Sequence, residues 1–374
     1  MAEVTILGCG MVGSAMAADL AKKHHVRAFD VNVQNLESIA AKKNIVTQIL
    51  DLSFSENIRI AVNDADIVVN AVPGFMGFQT TRTVIEAGKN IVDISFFPEN
   101  CFELDKLAKE NGVIAIVDCG VAPGMGNVVL GYHNSRMQVE SYECYVGGLP
   151  QQRTLPFQYK APFSPVDVIE EYIRPARYIR DGKLITKPAL SEPEYLEFDE
   201  IGTLEAFNTD GLRSLLFTMN IPDMIEKTMR YPGHIEYMKM LRECGFFADE
   251  EIDLNGKKII PISLTSQLLF RKWKLQKDEP ELTVMRIIIK GKEKEKPVCC
   301  QYDLLDRFDN ETGISSMART TGYAATAAVY LVLKGDYTRI GISPPEFIGA
   351  ENGCLNKMLK YQEERGVIYK VCKT

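Results

Sequence analysis

The chain has 374 residues, 46% hydrophobic and 25% charged, a globular composition long enough for two domains. A net charge of −7, from 43 basic and 50 acidic residues, argues against the basic face that a nucleic-acid partner requires. No apolar run reaches about 18 residues, so no membrane span is expected. The nine cysteines form no CxxC pair and no Cys/His cluster, which reads as reduced thiols of a cytoplasmic protein without a metal site.

The N-terminus reads as a strand rather than a secretory signal. Its apolar run at residues 4–7 leads into GCGMVG, a Gly8-x-Gly10-x-x-Gly13 pattern, and then into a small-residue helix over 14–20. Gly8 permits the tight turn out of the strand, Gly10 leaves bare backbone for a pyrophosphate, and Gly13 lets the helix pack close to the sheet. The open N–H groups and the dipole at the helix start, around Met11 and Val12, attract phosphates. A second apolar run at 26–29 ends on Asp30. A carboxylate there accepts both ribose hydroxyls and repels a 2′-phosphate, so the expected cofactor is NAD rather than NADP.

Further strands are predicted at 46–50, 66–72, 91–94 and 113–117, with helices at 79–87 and 99–111. Alternation of this kind, with β-branched runs buried on both faces, predicts a doubly wound parallel (Rossmann) sheet. Asp51 follows the third strand, where it reaches the adenine amino group or simply closes a turn. Val72 and Pro73 end the fourth strand, where backbone groups face the nicotinamide ribose. After residue 120 the pattern changes. Strands predicted at 140–146, 259–264 and 282–290 alternate, with helices at 165–172 and 212–217, as in an α+β domain with an open, mostly antiparallel sheet. The charged stretch 290–297 reads as a hairpin tip. A small-residue helix at 320–333, a helix at 355–365 and a strand at 367–371 complete the chain. The expected division is a dinucleotide domain over 1–122, to which 318–374 returns, and a substrate and dimerisation domain over 123–317.

Several motifs together resemble the saccharopine dehydrogenase-like superfamily, and most closely its lysine 6-dehydrogenase branch. They are GCGMVG at Gly8, NAVPG at Asn70, VDIS at Val92, DCGVAPGMGN at Asp118, VGGLP at Val146, TDGLR at Thr209, RYPGH at Arg230, RTTGYAA at Arg319 and SPPEFIG at Ser343. The resemblance spans nearly the whole chain. It implies an NAD-dependent amine dehydrogenase acting on a small amino acid, and a homodimer joined through the second domain's sheet. Saccharopine reductases resemble GLDPG where this chain has GVAPG, so Ala122 replaces an acid. That departure leans toward lysine. Saccharopine, a carboxyspermidine-type polyamine and a non-catalytic NAD sensor stand as alternatives.

Amine oxidation requires a neutral nitrogen, a carbon held against the nicotinamide, a water for the imine and an anchor for the substrate carboxylate. Asp118, at the end of the last strand, is the first candidate for the amine; the alternative is a turn cap. Ser95, on the same edge, reaches the nicotinamide amide or the substrate. Arg213, read as opening a helix capped by Asp210, and Arg230 are candidate carboxylate clamps. His234 is a candidate base, although a lone histidine is more often structural. Glu205 reads as an ammonium ligand or a solvated acid. Thr320, in a segment read as heading a helix over the nicotinamide, is a candidate substrate contact.

Overall fold

The computed structural model describes residues 1–161, 165–276 and 279–374, with the backbone alone at 165–167. The chain forms two compact units, Met1–Gln138 with Met317–Tyr369, and Val139–Ser316 with Lys370–Thr374.

The first unit opens as β1 (Glu3–Leu7), α1 (Met11–Leu20), β2 (His25–Asp30), α2 (Val33–Ala40), β3 (Ile45–Ile49) and α3 (Ser55–Val62). It continues as β4 (Ile67–Asn70), α4 (Gly74–Glu86), β5 (Asn90–Asp93), α5 (Asp105–Glu110), β6 (Ile114–Ile116) and α6 (Met125–Asn134). The strands lie in the order β6-β5-β4-β1-β2-β3, and the returning strand Gly341–Ser343 pairs in parallel with β6 at the far edge. All of these neighbours are parallel. Ile6, Val68, Val69, Val92 and Ile116 have no exposed surface, as expected for strands covered by helices on both faces. The strand order reverses between β1 and β4, so a crevice opens at the carboxyl ends of these two strands.

The return is fastened by a buried acid. Asp19 on α1 accepts 2.8 Å bonds from Arg365 Nε to both of its oxygens, together with bonds from Tyr361 (2.8 Å) and Thr326 (2.9 Å). Burial works against the Asp19 charge, but the Arg365 guanidinium and these hydrogen bonds outweigh it and hold the carboxyl below its usual range.

The boundary expected after residue 122 falls after Gln138 instead. Helix α6 belongs to the first unit because it packs backbone to backbone on the returning helix Pro345–Ala350. A Cβ at Gly131 would lie 2.0 Å from the Glu346 carbonyl oxygen, and one at Gly349 would lie 1.9 Å from that of Val128. Only glycine permits that approach.

The second unit is built on a nine-stranded sheet that runs through Gly202–Asn208, Asp223–Arg230, Gln138–Pro150, Glu281–Glu293 and Lys296–Arg307. Most of its assigned pairs are antiparallel, but Asp223–Arg230 runs parallel to Gln138–Pro150. Helices Pro165–Ile173, His234–Glu243 and Pro261–Trp273 cover a core around Trp273, Tyr172 and Phe207. Two expectations are corrected here. Residues 259–264 are not a strand: Lys257–Ile259 is a short one, and Pro261 then opens a helix, where its missing N–H costs nothing. The helix expected at 212–217 shrinks to Leu215–Thr218, because Arg213 holds φ +51°.

Substituting Asp19 by Ala leaves Arg365 as an unmatched, largely buried cation and should cost about 3 kcal/mol or more in urea unfolding at neutral pH. The native Asp19 carboxyl lies below its unfolded value, so its contribution is complete above the ordinary carboxylate range and fades as pH falls through it. The gap between wild type and Asp19→Asn should therefore close in acid. A gap that persists at low pH would refute this role.

Candidate active site

Three glycines shape the crevice above β1. Gly8 turns with φ +91°, and a Cβ there would lie 2.6 Å from the Ala71 carbonyl oxygen. A Cβ at Gly13 would lie 2.0 Å from the Gly8 carbonyl oxygen, which sets how closely α1 approaches the loop. At Gly10 a Cβ would meet nothing within 4 Å. Helix α1 starts there with no capping side chain and no acid in its first turn, and Met11 is exposed. Open N–H donors beside free space, at the positive end of a helix, fit a pyrophosphate. Val72 closes β4 on the neighbouring side, its N–H 3.4 Å from Asn70 Oδ1, and Pro73 after it is exposed.

Asp30 ends β2 with 9% of its surface exposed. Its Oδ2 accepts from the Cys9 N–H (2.7 Å) and Asn35 Nδ2 (3.1 Å), and its Oδ1 accepts from the Asn32 N–H (2.7 Å). The carboxylate thus ties the glycine loop to the start of α2. Burial and the neighbouring Asp30 charge push the Cys9 thiol up to about 12, so it stays protonated. Asp51 is solvent-exposed and accepts from the Ser53 hydroxyl (2.7 Å) and N–H (3.0 Å), which hold its carboxyl below the usual range. It closes a turn just past β3.

Sequence reasoning missed a second acid on this edge. Asp93, the last residue of β5, has no exposed surface. Its oxygens accept from Ser95 Oγ (3.0 and 2.8 Å), the Ser95 N–H (3.0 Å), Asn70 Nδ2 (2.5 Å) and Thr81 Oγ1 (3.1 Å). Burial pushes this carboxyl up to about 7, and the Asp118 charge adds to the rise, against the bonds from Ser95 and Asn70. Asp118 follows β6 with φ +54°, a costly conformation for a residue with a Cβ, and is almost buried at 5% exposure. The signal available in the sequence was the acid in VDIS, closing an otherwise apolar run.

In the second unit, two candidates become structural. His234 has no exposed surface; its Nδ1 lies 2.8 Å from the Phe157 carbonyl oxygen and its Nε2 lies 3.0 Å from the Tyr172 hydroxyl. Burial, then the nearby Arg230 cation, push the ring down to about 3. A neutral ring with both nitrogens engaged is no general base. Arg230 is 2% exposed, pairs with Glu171 Oε2 at 2.5 Å and lies over the Tyr159 ring at 4.4 Å, so its guanidinium is already spoken for. Asp210 does not cap a helix; it takes Arg177 in a bidentate pair, with both contacts at 2.8 Å. Glu205 accepts from the Gly233 N–H at 3.1 Å and braces the turn before His234. Arg213 is buried on its left-handed turn.

Thr320, in the first unit, is also corrected. The helix starts at Ser316, one turn earlier than expected, so Thr320 lies inside it with no exposed surface and with its hydroxyl 3.4 Å from the Met317 carbonyl oxygen. It has no surface to offer a substrate.

Two family models match in tandem: the saccharopine dehydrogenase NADP binding domain over residues 4–116 and the saccharopine dehydrogenase C-terminal domain over residues 120–367. The chain belongs to the saccharopine dehydrogenase family. The family's division at 116/120 precedes the structural one because α6 rejoins the first unit. Among curated relatives, the α-aminoadipic semialdehyde synthase of Arabidopsis thaliana is 26% identical over 62% of this chain and 24% of its own length. The mouse enzyme is 24% identical over 66% of this chain and 29% of its own. The chain therefore spans only about a quarter of these relatives. It matches the carboxyaminopropylagmatine dehydrogenase of Synechocystis nearly end to end, 24% identical over 91% of this chain and 92% of that one. Among solved structures, the L-glutamate-forming saccharopine dehydrogenase of Saccharomyces cerevisiae superposes over all of both chains with a TM-score of 0.81 at 18% identity, which shows the shared fold.

For this saccharopine dehydrogenase-family fold the glycine geometry separates binding from stability. Gly10→Ala should leave the Tm unchanged and weaken dinucleotide binding about tenfold or more, because the methyl enters the space read as the pyrophosphate seat. Gly13→Ala should lower the Tm by several degrees, because its methyl meets the Gly8 backbone. Calorimetry and thermal unfolding on the two variants check the contrast; equal effects on both would remove it.

Proposed function

We propose that this chain is an NAD-dependent amine dehydrogenase that oxidises the ε-amine of L-lysine, releasing ammonia and 2-aminoadipate 6-semialdehyde, which cyclises to a piperideine carboxylate. The observation that carries the reading is the pair of buried acids, Asp93 and Asp118, on the same carboxyl edge as the Gly10 cradle. A low-dielectric anionic edge attracts an ammonium. NAD supplies the hydride acceptor when bound. Asp118 orients the amine. Arg213, in the TDGLR motif, is the candidate clamp for the α-carboxylate. Asp30 selects NAD through its charge at the end of β2. The active form is a homodimer of the family's kind, in the cytoplasm. Ala122 in GVAPG supports lysine over saccharopine.

The end-to-end match to the Synechocystis relative supports a second reading, oxidation of a secondary amine in a carboxyalkyl polyamine. The test is NADH formation with NAD and L-lysine, saccharopine or carboxyaminopropylagmatine in parallel. Lysine alone should reduce NAD. Reduction only with saccharopine moves the assignment to the glutamate-releasing activity, and reduction only with carboxyaminopropylagmatine moves it to the second reading. In the same assay Asp30→Asn, which removes the charge and one acceptor of the surrounding N–H groups, should narrow the preference for NAD over NADP about tenfold or more. An unchanged ratio would take Asp30 out of cofactor selection.

A further inference from the structure

We infer that Asp93 and Ser95 form a proton relay, in which Ser95 is the outlet through which the buried Asp93 carboxylate takes the proton of the substrate ammonium. The inference rests on the amine-oxidation reading. Asp93 has no surface of its own, and neither do Asn70 and Thr81, two of its side-chain partners. Ser95, the third, is 5% exposed, and its hydroxyl reaches both Asp93 oxygens, at 3.0 and 2.8 Å. The sequence makes room for that hydroxyl. A Cβ at Gly77 on α4 would lie 2.0 Å from Ser95 Oγ. Asn70 is itself oriented by the Val72 N–H, so its amide donates into Asp93.

The relay has two states. With Asp93 ionised, the Ser95 O–H donates inward and its lone pairs face out to accept an N–H. With Asp93 protonated, the carboxyl donates to Ser95 Oγ, and the Ser95 O–H is free to donate outward. In the oxidative direction the substrate R–CH2–NH3+ loses one proton to Ser95 Oγ while the Ser95 proton passes to Asp93. One N–H bond breaks and one O–H bond forms on Asp93, and Ser95 ends unchanged. The neutral amine then supports hydride departure from its carbon to NAD, leaving R–CH=NH2+. Water converts this to the aldehyde and ammonium.

The groups that face Asp93 set when the relay is charged. Asn70 comes from β4, Thr81 from α4, and Asp118 and Cys119 from the segment after β6, whose Cys119 N–H donates to the Asp93 carbonyl at 3.0 Å. The Cys119 thiol is pushed up to about 12 by burial, then by Asp118 and Asp93, and stays neutral. Burial and Asp118 bring the Asp93 carboxyl to about 7, within reach of physiological pH. As pH falls below 7, Asp93 takes up a proton and can no longer receive one, so activity falls on the acid side.

The experiment has two arms on the full-length protein. Infrared difference spectra across a pH titration, wild type minus Asp93→Asn, read the Asp93 carboxylic acid without any substrate. The relay predicts a carboxyl titrating near 7, which moves higher in Ser95→Ala because the Ser95 hydroxyl stabilises the anion. Titration in the ordinary carboxylate range would overturn the relay whatever the substrate is. The second arm is the pH profile of kcat/KM with whichever amine reduces NAD. Asp93→Asn and Ser95→Ala should each lower kcat about 100-fold and abolish the acid limb, the double variant should be no worse than either, and NAD affinity should stay within about twofold. An acid limb retained in Asp93→Asn would overturn the relay. A failure of lysine alone, with the infrared titration near 7 intact, would count against the substrate reading and leave the relay standing.

Discussion

The ion pair of Asp19 with Arg365 is the constraint on which the first unit depends. It joins residues 346 positions apart and sits on α1, the helix whose other end is the Gly10 cradle. The partners Tyr361 and Thr326 belong to two further returning helices, so one buried carboxylate gathers three segments of the chain. The strand Gly341–Ser343, which lies against β6, belongs to the same returning segment. A cofactor site made of backbone N–H groups needs such rigidity, because it has few side chains with which to adjust.

Three aspartates at or just past the carboxyl ends of strands in one sheet show how environment divides one residue type among tasks. Asp51 is exposed and held low by Ser53; Asp93 is enclosed and raised toward neutrality; Asp30 accepts from backbone N–H groups that shape the glycine loop. Desolvation and a like charge govern the difference. His234, the residue whose ordinary titration best suits a base at neutral pH, is removed from that role by the same desolvation.

Much of this was legible in the residues. The strand, glycine loop, helix and terminal acid of residues 4–30 are local patterns, and the β-branched runs at 67–69 and 91–92 declare burial on both faces, so the parallel sheet follows from them. What escaped depends on contacts distant in sequence. The place of α6 in the first unit is set by Gly131 against Glu346, and no local pattern carries that pairing. The roles of Arg230 and His234 are set by Glu171, Tyr172 and Phe157, from segments at least 58 positions away. At 259–264 a run of apolar residues suggested alternation, and the decisive mark was one proline at a helix start. Asp93 was overlooked because a lone acid after two apolar residues resembles a turn until its partners are known.

The central claim is that hydride leaves a nitrogen-bearing carbon for NAD at this edge. The most direct measurement is the fate of deuterium from L-lysine labelled at C6, followed by mass spectrometry of the reduced dinucleotide with the purified chain. The account predicts one deuterium on the nicotinamide ring and one retained on the aldehyde carbon, with release of unlabelled ammonia. Reduced dinucleotide without deuterium, or label washed out into solvent, would contradict it.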